Sequence, residues 1–141
     1  MAATLREVSL GVFDKLTARA ENLLHGRRDL DDTIRRLQAF EKAGADVLYA
    51  PGVRDLDTIR TVASAVGKPL NVVMSAADPA LTVARLAGVG VKRISVGGAL
   101  SRVALAAFIR AAREMKDAGG FTWVRDTVPS RELRAMWGPS R

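Results

Sequence analysis

The chain has 141 residues, of which 48% are hydrophobic and 26% charged, so it can bury one core and is not disordered throughout. It has no cysteine, which excludes disulfides and thiolate metal sites and is compatible with a reducing cytoplasm, the expected location. The net charge of +7 admits nucleic acid, but the arginines are scattered from Arg35 and Arg36 through Arg60, Arg85, Arg93 and Arg110 to Arg134, and aromatics are only 5%; a solvated basic surface is the better reading, and no nucleic-acid partner is expected.

Residues 1–14, MAATLREVSLGVFD, hold no long apolar run, so neither a signal peptide nor a membrane span is expected, and they read as a leading segment. LTARA (16–20) is the first strand. Side chains alternate along a strand, so Thr17, Arg19 and Glu21 share one face, and Leu16, Ala18 and Ala20 the other. A helix from Asp31 to Lys42 follows, stopped by Gly44. VLYA (47–50) is the second strand, followed by a helix from Asp55 to Val66 that carries Leu56, Ile59, Val62 and Ala63. LNVVM (70–74) is the third strand. Asp78 and Pro79 read as the N-cap and first residue of a helix ending at Gly88. RISV (93–96) is the fourth strand, and Ser101 is the expected cap of a helix running to about Lys116. After Gly119 and Gly120 the rhythm breaks into an extended piece, a proline and a short helix from Ser130 to Trp137, with Leu133, Met136 and Trp137 on one side. Such a tail folds back or docks on a neighbour.

Strands alternating with helices predict an α/β fold with a parallel sheet. A closed (β/α)8 barrel takes about 250 residues. The expected architecture is therefore half of a TIM-type (β/α)8 barrel: four parallel βα units over 15–118, after the leading segment 1–14 and before a C-terminal helical tail over 119–141. A small doubly wound sheet is the alternative. It would bury both faces of a central strand and leave Arg19 and Glu21 awkwardly placed, whereas a barrel points them inward at the end where substrates bind.

Other candidates have ordinary explanations. Gly97 and Gly98 stand between a strand and a helix, where free N–H groups attract anions, but glycines also permit a tight turn. His25 is the single histidine, in a loop, and reads as surface rather than as an acid or base. Asp29, Asp31 and Asp32 cap a helix start. Tyr49 could line a site, yet a strand tyrosine needs no special role. No set of His, Asp and Glu has metal-ligand spacing.

TARAENLLHGRRDLDDTIRRLQAFEKAGADVLYAPG (17–52), with GVGVKRISVGGAL and the VPSRELRAMW tail, resembles the isocitrate lyase / phosphoenolpyruvate mutase superfamily, over nearly the whole chain from about Lys15. The resemblance implies a (β/α)8 barrel that uses Mg²⁺ and an enolate-type intermediate to make or break C–C or P–C bonds in small 2-oxo acids or carboxylates. It implies that this chain is strands five to eight, and that the metal-holding aspartates and the mobile catalytic loop belong to the other half. Arg19 matches the family's strand-five arginine, which contacts the substrate carboxylate or phosphonate; Glu21 matches the acidic position two residues on, with an orienting role. Ala50-Pro51 stands where some members carry a histidine, and Val73, Met74 and Ser75 stand where some lyases end strand seven in polar residues, which leaves the exact chemistry open. The expected substrate-binding residues are Arg19, Glu21, Gly97 and Gly98; the expected partners are a small carboxylate and either a second copy or a complementing half barrel. A non-catalytic remnant or assembly module is the alternative.

Overall fold

The computed structural model describes residues 15–74 and 77–137; the expected leading segment and Ser75 lie outside them. β1 (Thr17–Arg19), β2 (Val47–Tyr49), β3 (Leu70–Val73) and β4 (Arg93–Ser95) form one parallel sheet in the order β1-β2-β3-β4. α1 (Leu30–Lys42), α2 (Leu56–Ser64) and α3 (Val83–Gly88) connect them. A doubly wound sheet needs a point where the strand order reverses. Here the order never reverses, so right-handed crossovers place these helices on one face, as in a barrel. The chain divides into two units, one ending at Gly97 and the other starting at Gly98.

The core of the first unit follows from the strand alternation. Ala18 pairs with Leu48, Leu48 with Leu70, and Val72 with Ile94, which sets these side chains on one face. Leu37 of α1, Ile59 and Val62 of α2, and Leu86 of α3 close over that face, with Ala45 and Val91 beside them. Periodic apolar residues thus bury one stripe of each helix.

Each of these helices begins on a side-chain cap. Asp29 accepts from the Asp32 N–H at 2.8 Å, Asp55 from the Thr58 N–H at 2.8 Å, and Thr82 from the Arg85 N–H at 3.2 Å. The last corrects the expected start at Asp78-Pro79. The Asp78 carboxylate accepts from the Ala80 N–H at 2.8 Å, and its carbonyl from Leu81 at 3.0 Å, so these residues form a turn before Thr82 caps the helix. Hydrogen bonding from the Thr58 backbone holds the Asp55 carboxyl below its ordinary value of 3.8. A depressed folded pKa adds stability above the unfolded pKa that is lost as pH falls through the folded one. Asp55→Ala should therefore cost about 1 kcal/mol at neutral pH. The gap to the parent protein in urea unfolding should close in acid; a gap that persists well below the aspartate range would refute the cap's contribution.

In the second unit, α4 spans Ala99–Ala118, a 3-10 turn Thr122–Asp126, and α5 Ser130–Trp137. α4 starts before the expected cap: the Arg102 N–H reaches the Gly98 carbonyl at 3.0 Å, which puts Ser101 inside the first turn. It ends on Gly119 in the left-handed region, at φ 62°. The expected extended piece is instead the 3-10 turn. The Glu114 carboxylate accepts from both the N–H and the hydroxyl of Thr122 and bends the chain there. α5 has the bounds expected from the sequence.

Candidate functional site

The sheet face opposite the core carries a polar row. In-register partners in a parallel sheet point to the same side. Arg19 pairs with Tyr49, Tyr49 with Asn71, and Asn71 with Arg93, so four side chains from four strands stand in line. Ser95, partner of Val73, shares the face.

Arg19 is held from two directions. Its Nη2 lies 2.6 Å from Glu21 Oε1, with both side chains about half exposed, and its Cζ lies 5.0 Å from the centre of the Tyr49 ring. The carboxylate and the ring face fix the guanidinium plane while leaving donors free. Burial pushes the Tyr49 hydroxyl above its ordinary value, against the opposing pull of Arg19, so the phenol stays neutral and able to donate.

Glu21 is placed by the turn that follows β1. The Ala20 N–H continues the ladder to the Tyr49 carbonyl at 2.9 Å, and the Glu21 carbonyl then accepts from Leu24 at 3.0 Å. Asn22, only 7% exposed, ties this turn to the start of α1. Its Nδ2 donates to Thr33 Oγ1 at 2.7 Å, to the Asp29 carbonyl at 3.2 Å and to the Arg27 carbonyl at 3.4 Å. Thr33 is fully buried, and its hydroxyl donates to the Asp29 carbonyl at 2.8 Å. Asn22 closes the ARAEN stretch (18–22) and carries no expected role in the sequence. A polar residue where β1's apolar alternation ends was the available signal.

Three further residues, Arg93, Asn71 and Ser95, were missed. Arg93, grouped with the scattered surface arginines, opens β4 on the polar face. Asn71, 3% exposed, accepts from Arg93 Nη1 at 3.0 Å and donates to Ser95 Oγ at 3.1 Å. The period-two pattern of LNVV and RIS already sets Asn71 and Arg93 apart from Leu70, Val72 and Ile94.

The remaining candidates are less connected. Gly97 has φ 52°, and a Cβ there would meet Val73 only at an ordinary 3.9 Å, so the turn and not a close approach asks for glycine. Gly98 has an ordinary φ of −86° and is the N-cap of α4. His25 is exposed, with Nε2 3.9 Å from Glu21 Oε2, and borders a hollow of about 290 Å³ lined also by Asn22, Arg27 and Arg36. Arg36 donates to Asp32 at 2.6 Å and holds that carboxyl below its ordinary value. Among the described residues no three His, Cys, Asp or Glu side chains could hold a metal ion, so these residues do not fit a Mg²⁺ site. No helix among them is long and apolar enough to cross a membrane.

The family described as Phosphoenolpyruvate phosphomutase matches residues 2–116. The chain is 55% identical to a candidate lyase/mutase from Burkholderia cenocepacia J2315, with TM-score 0.83 over 93% of this chain and 47% of that one. It is 28% identical to a phosphonopyruvate hydrolase solved with oxalate and Mg²⁺, with TM-score 0.70 over 87% and 44%. An uncharacterized Mycobacterium tuberculosis protein, MT2054 (strain CDC 1551 / Oshkosh), is 31% identical over 112 residues, which are 79% of this chain and 41% of that one. The chain thus spans about half the length of these proteins. With four consecutive parallel strands, its fold is half of a TIM-type barrel. The chain belongs to the phosphoenolpyruvate phosphomutase family, within the PEP mutase/isocitrate lyase superfamily.

Proposed function

We propose that this chain is the C-terminal half of a Mg²⁺-dependent lyase or mutase that acts on C–C or P–C bonds of small 2-oxo acids or carboxylates, and that it is inactive by itself. The observation that carries this reading is Arg19, braced by Glu21 and Tyr49 on the polar sheet face with donors to spare. A planar guanidinium matches a carboxylate in two-pronged fashion and stays charged at all relevant pH. In this role Arg19 binds the substrate's anionic end and Glu21 orients it, with Gly97 and Gly98 offering N–H groups to an anion. In this reading the metal's ligands come from the other half of the barrel, and this chain's part is to hold the anionic end of the substrate.

The partner is a complementing half barrel or a second copy. Among the described residues β1 and β4 each have a strand neighbour on one side only, and Leu100, Val103 and Phe108 of α4 are exposed. Unpaired edges and apolar surface favour association. The chain alone, with Mg²⁺, should give no turnover of 2-methylisocitrate, isocitrate or oxaloacetate, and should sediment as an associated species. Robust turnover that Arg19→Ala abolishes would overturn the need for the other half; a clean monomer would count against the half-barrel association. In a completed, active barrel, Arg19→Ala should lower kcat/KM on the order of a hundredfold. A completed barrel that turns over nothing would favour a non-catalytic assembly module.

A further inference from the structure

Arg93 differs from Arg19 in one decisive respect. Arg19 has a carboxylate beside it. Arg93 takes part in no ion pair among the described residues; its recorded partner is the neutral Oδ1 of Asn71, at 3.0 Å. Its side chain is exposed on the polar face of the sheet, so its charge is available.

Asn71 does more than hold a guanidinium. It is 3% exposed, and while its oxygen accepts from Arg93, its Nδ2 donates to Ser95 Oγ at 3.1 Å. A hydroxyl that accepts in this way keeps its own proton to offer elsewhere. No acceptor for that proton is found among the described residues. A guanidinium has five N–H donors, of which Asn71 takes one. One buried amide therefore fixes a cation and a hydroxyl donor side by side, two residues apart on β4. The complement to such a pair is an oxyanion, and the planar fork favours a carboxylate.

We propose that Arg93 and Ser95 form an anion site for a small carboxylate, separate from the one at Arg19, with Asn71 as its positioning residue. This site stands apart from the reading of Arg19, because its donors and its template lie on β3 and β4.

The test is a titration of the ¹⁵N-labelled full chain with malonate at low ionic strength, with chloride at matched ionic strength as the control. The Nε–Hε signals of Arg93 and Arg19 and the Ser95 amide are followed. Malonate should shift Arg93 and Ser95 to saturation where chloride does not. Arg93→Gln should weaken binding about tenfold or more. Asn71→Asp, which sets a carboxylate against the guanidinium, should weaken it as strongly while leaving the arginine in place; a role confined to packing would leave affinity unchanged in folded protein. If that buried substitution fails to fold, Arg93→Gln, at an exposed side chain, carries the comparison. A shift that chloride reproduces, or one that Arg93→Gln does not weaken, would overturn the site. A response at Arg19 alone would overturn it too and leave the Arg19 reading standing, whereas a response at Arg93 alone would support this site.

Discussion

Leu48→Ala will cost about 2–5 kcal/mol of folding stability. Leu48 lies at the centre of β2 with no exposed surface, and its in-register partners are Ala18 on β1 and Leu70 on β3. Leu37 of α1 and Ile59 of α2 belong to the same buried cluster. Ala18 is too small to swing into the vacated space, so the cavity stays open and its lining loses contacts on both sides. Urea unfolding followed by circular dichroism measures the loss as a lower midpoint at unchanged slope. A loss below about 1 kcal/mol would mean that the site collapses far more easily than core sites usually do.

The second large effect is expected at Asn22. Asn22→Ala removes an amide whose two N–H groups are shared among Thr33, Asp29 and Arg27, and leaves the buried Thr33 hydroxyl oxygen without its donor, while the Asp29 carbonyl keeps the N–H and hydroxyl of Thr33. Each bond contributes about 1 kcal/mol net, and a stranded buried acceptor costs about 1–3 kcal/mol more, so a total loss of roughly 3 kcal/mol is expected. The same substitution frees the turn that presents Glu21 to Arg19. Crystal structures or arginine side-chain relaxation should then show the Arg19 guanidinium sampling more orientations, with β1 itself intact. Loss of stability with Arg19 as ordered as before would mean that Asn22 serves the fold alone.

The strands were legible because each run is short, most are rich in Val, Ile or Leu, and each is followed by a helical period. The placing of Arg19 on the sheet face away from the core was legible for a related reason: alternation separates it from Ala18 and Ala20. The start of α3 was not, because Asp78-Pro79 looks like a helix opening until the Asp78 carboxylate is seen closing a turn on Ala80 and Thr82 competes as the cap. Ser101 misled similarly, since the Arg102 to Gly98 bond begins α4 without a side-chain cap. Arg93 escaped notice for a deeper reason. A lone arginine beside Lys92 reads as surface, and only the strand register, a long-range property, brings it against Asn71. Tyr49 is the same case, ordinary on its own strand and significant only beneath Arg19.

The polar row also slants. Arg19 closes β1 and Tyr49 closes β2, but Asn71 is the second residue of β3 and Arg93 the first of β4. In a closed barrel the strands lean about 36° from the axis, so a row crossing three strand spacings of about 4.8 Å changes depth by roughly 8 Å. One guanidinium then belongs to the rim and the other to the floor. A two- or three-carbon diacid is too short to bridge them, and an anion at one level would be felt at the other only through its field. In such a barrel, only a ligand long enough to span that change of depth could touch both guanidinium groups at once.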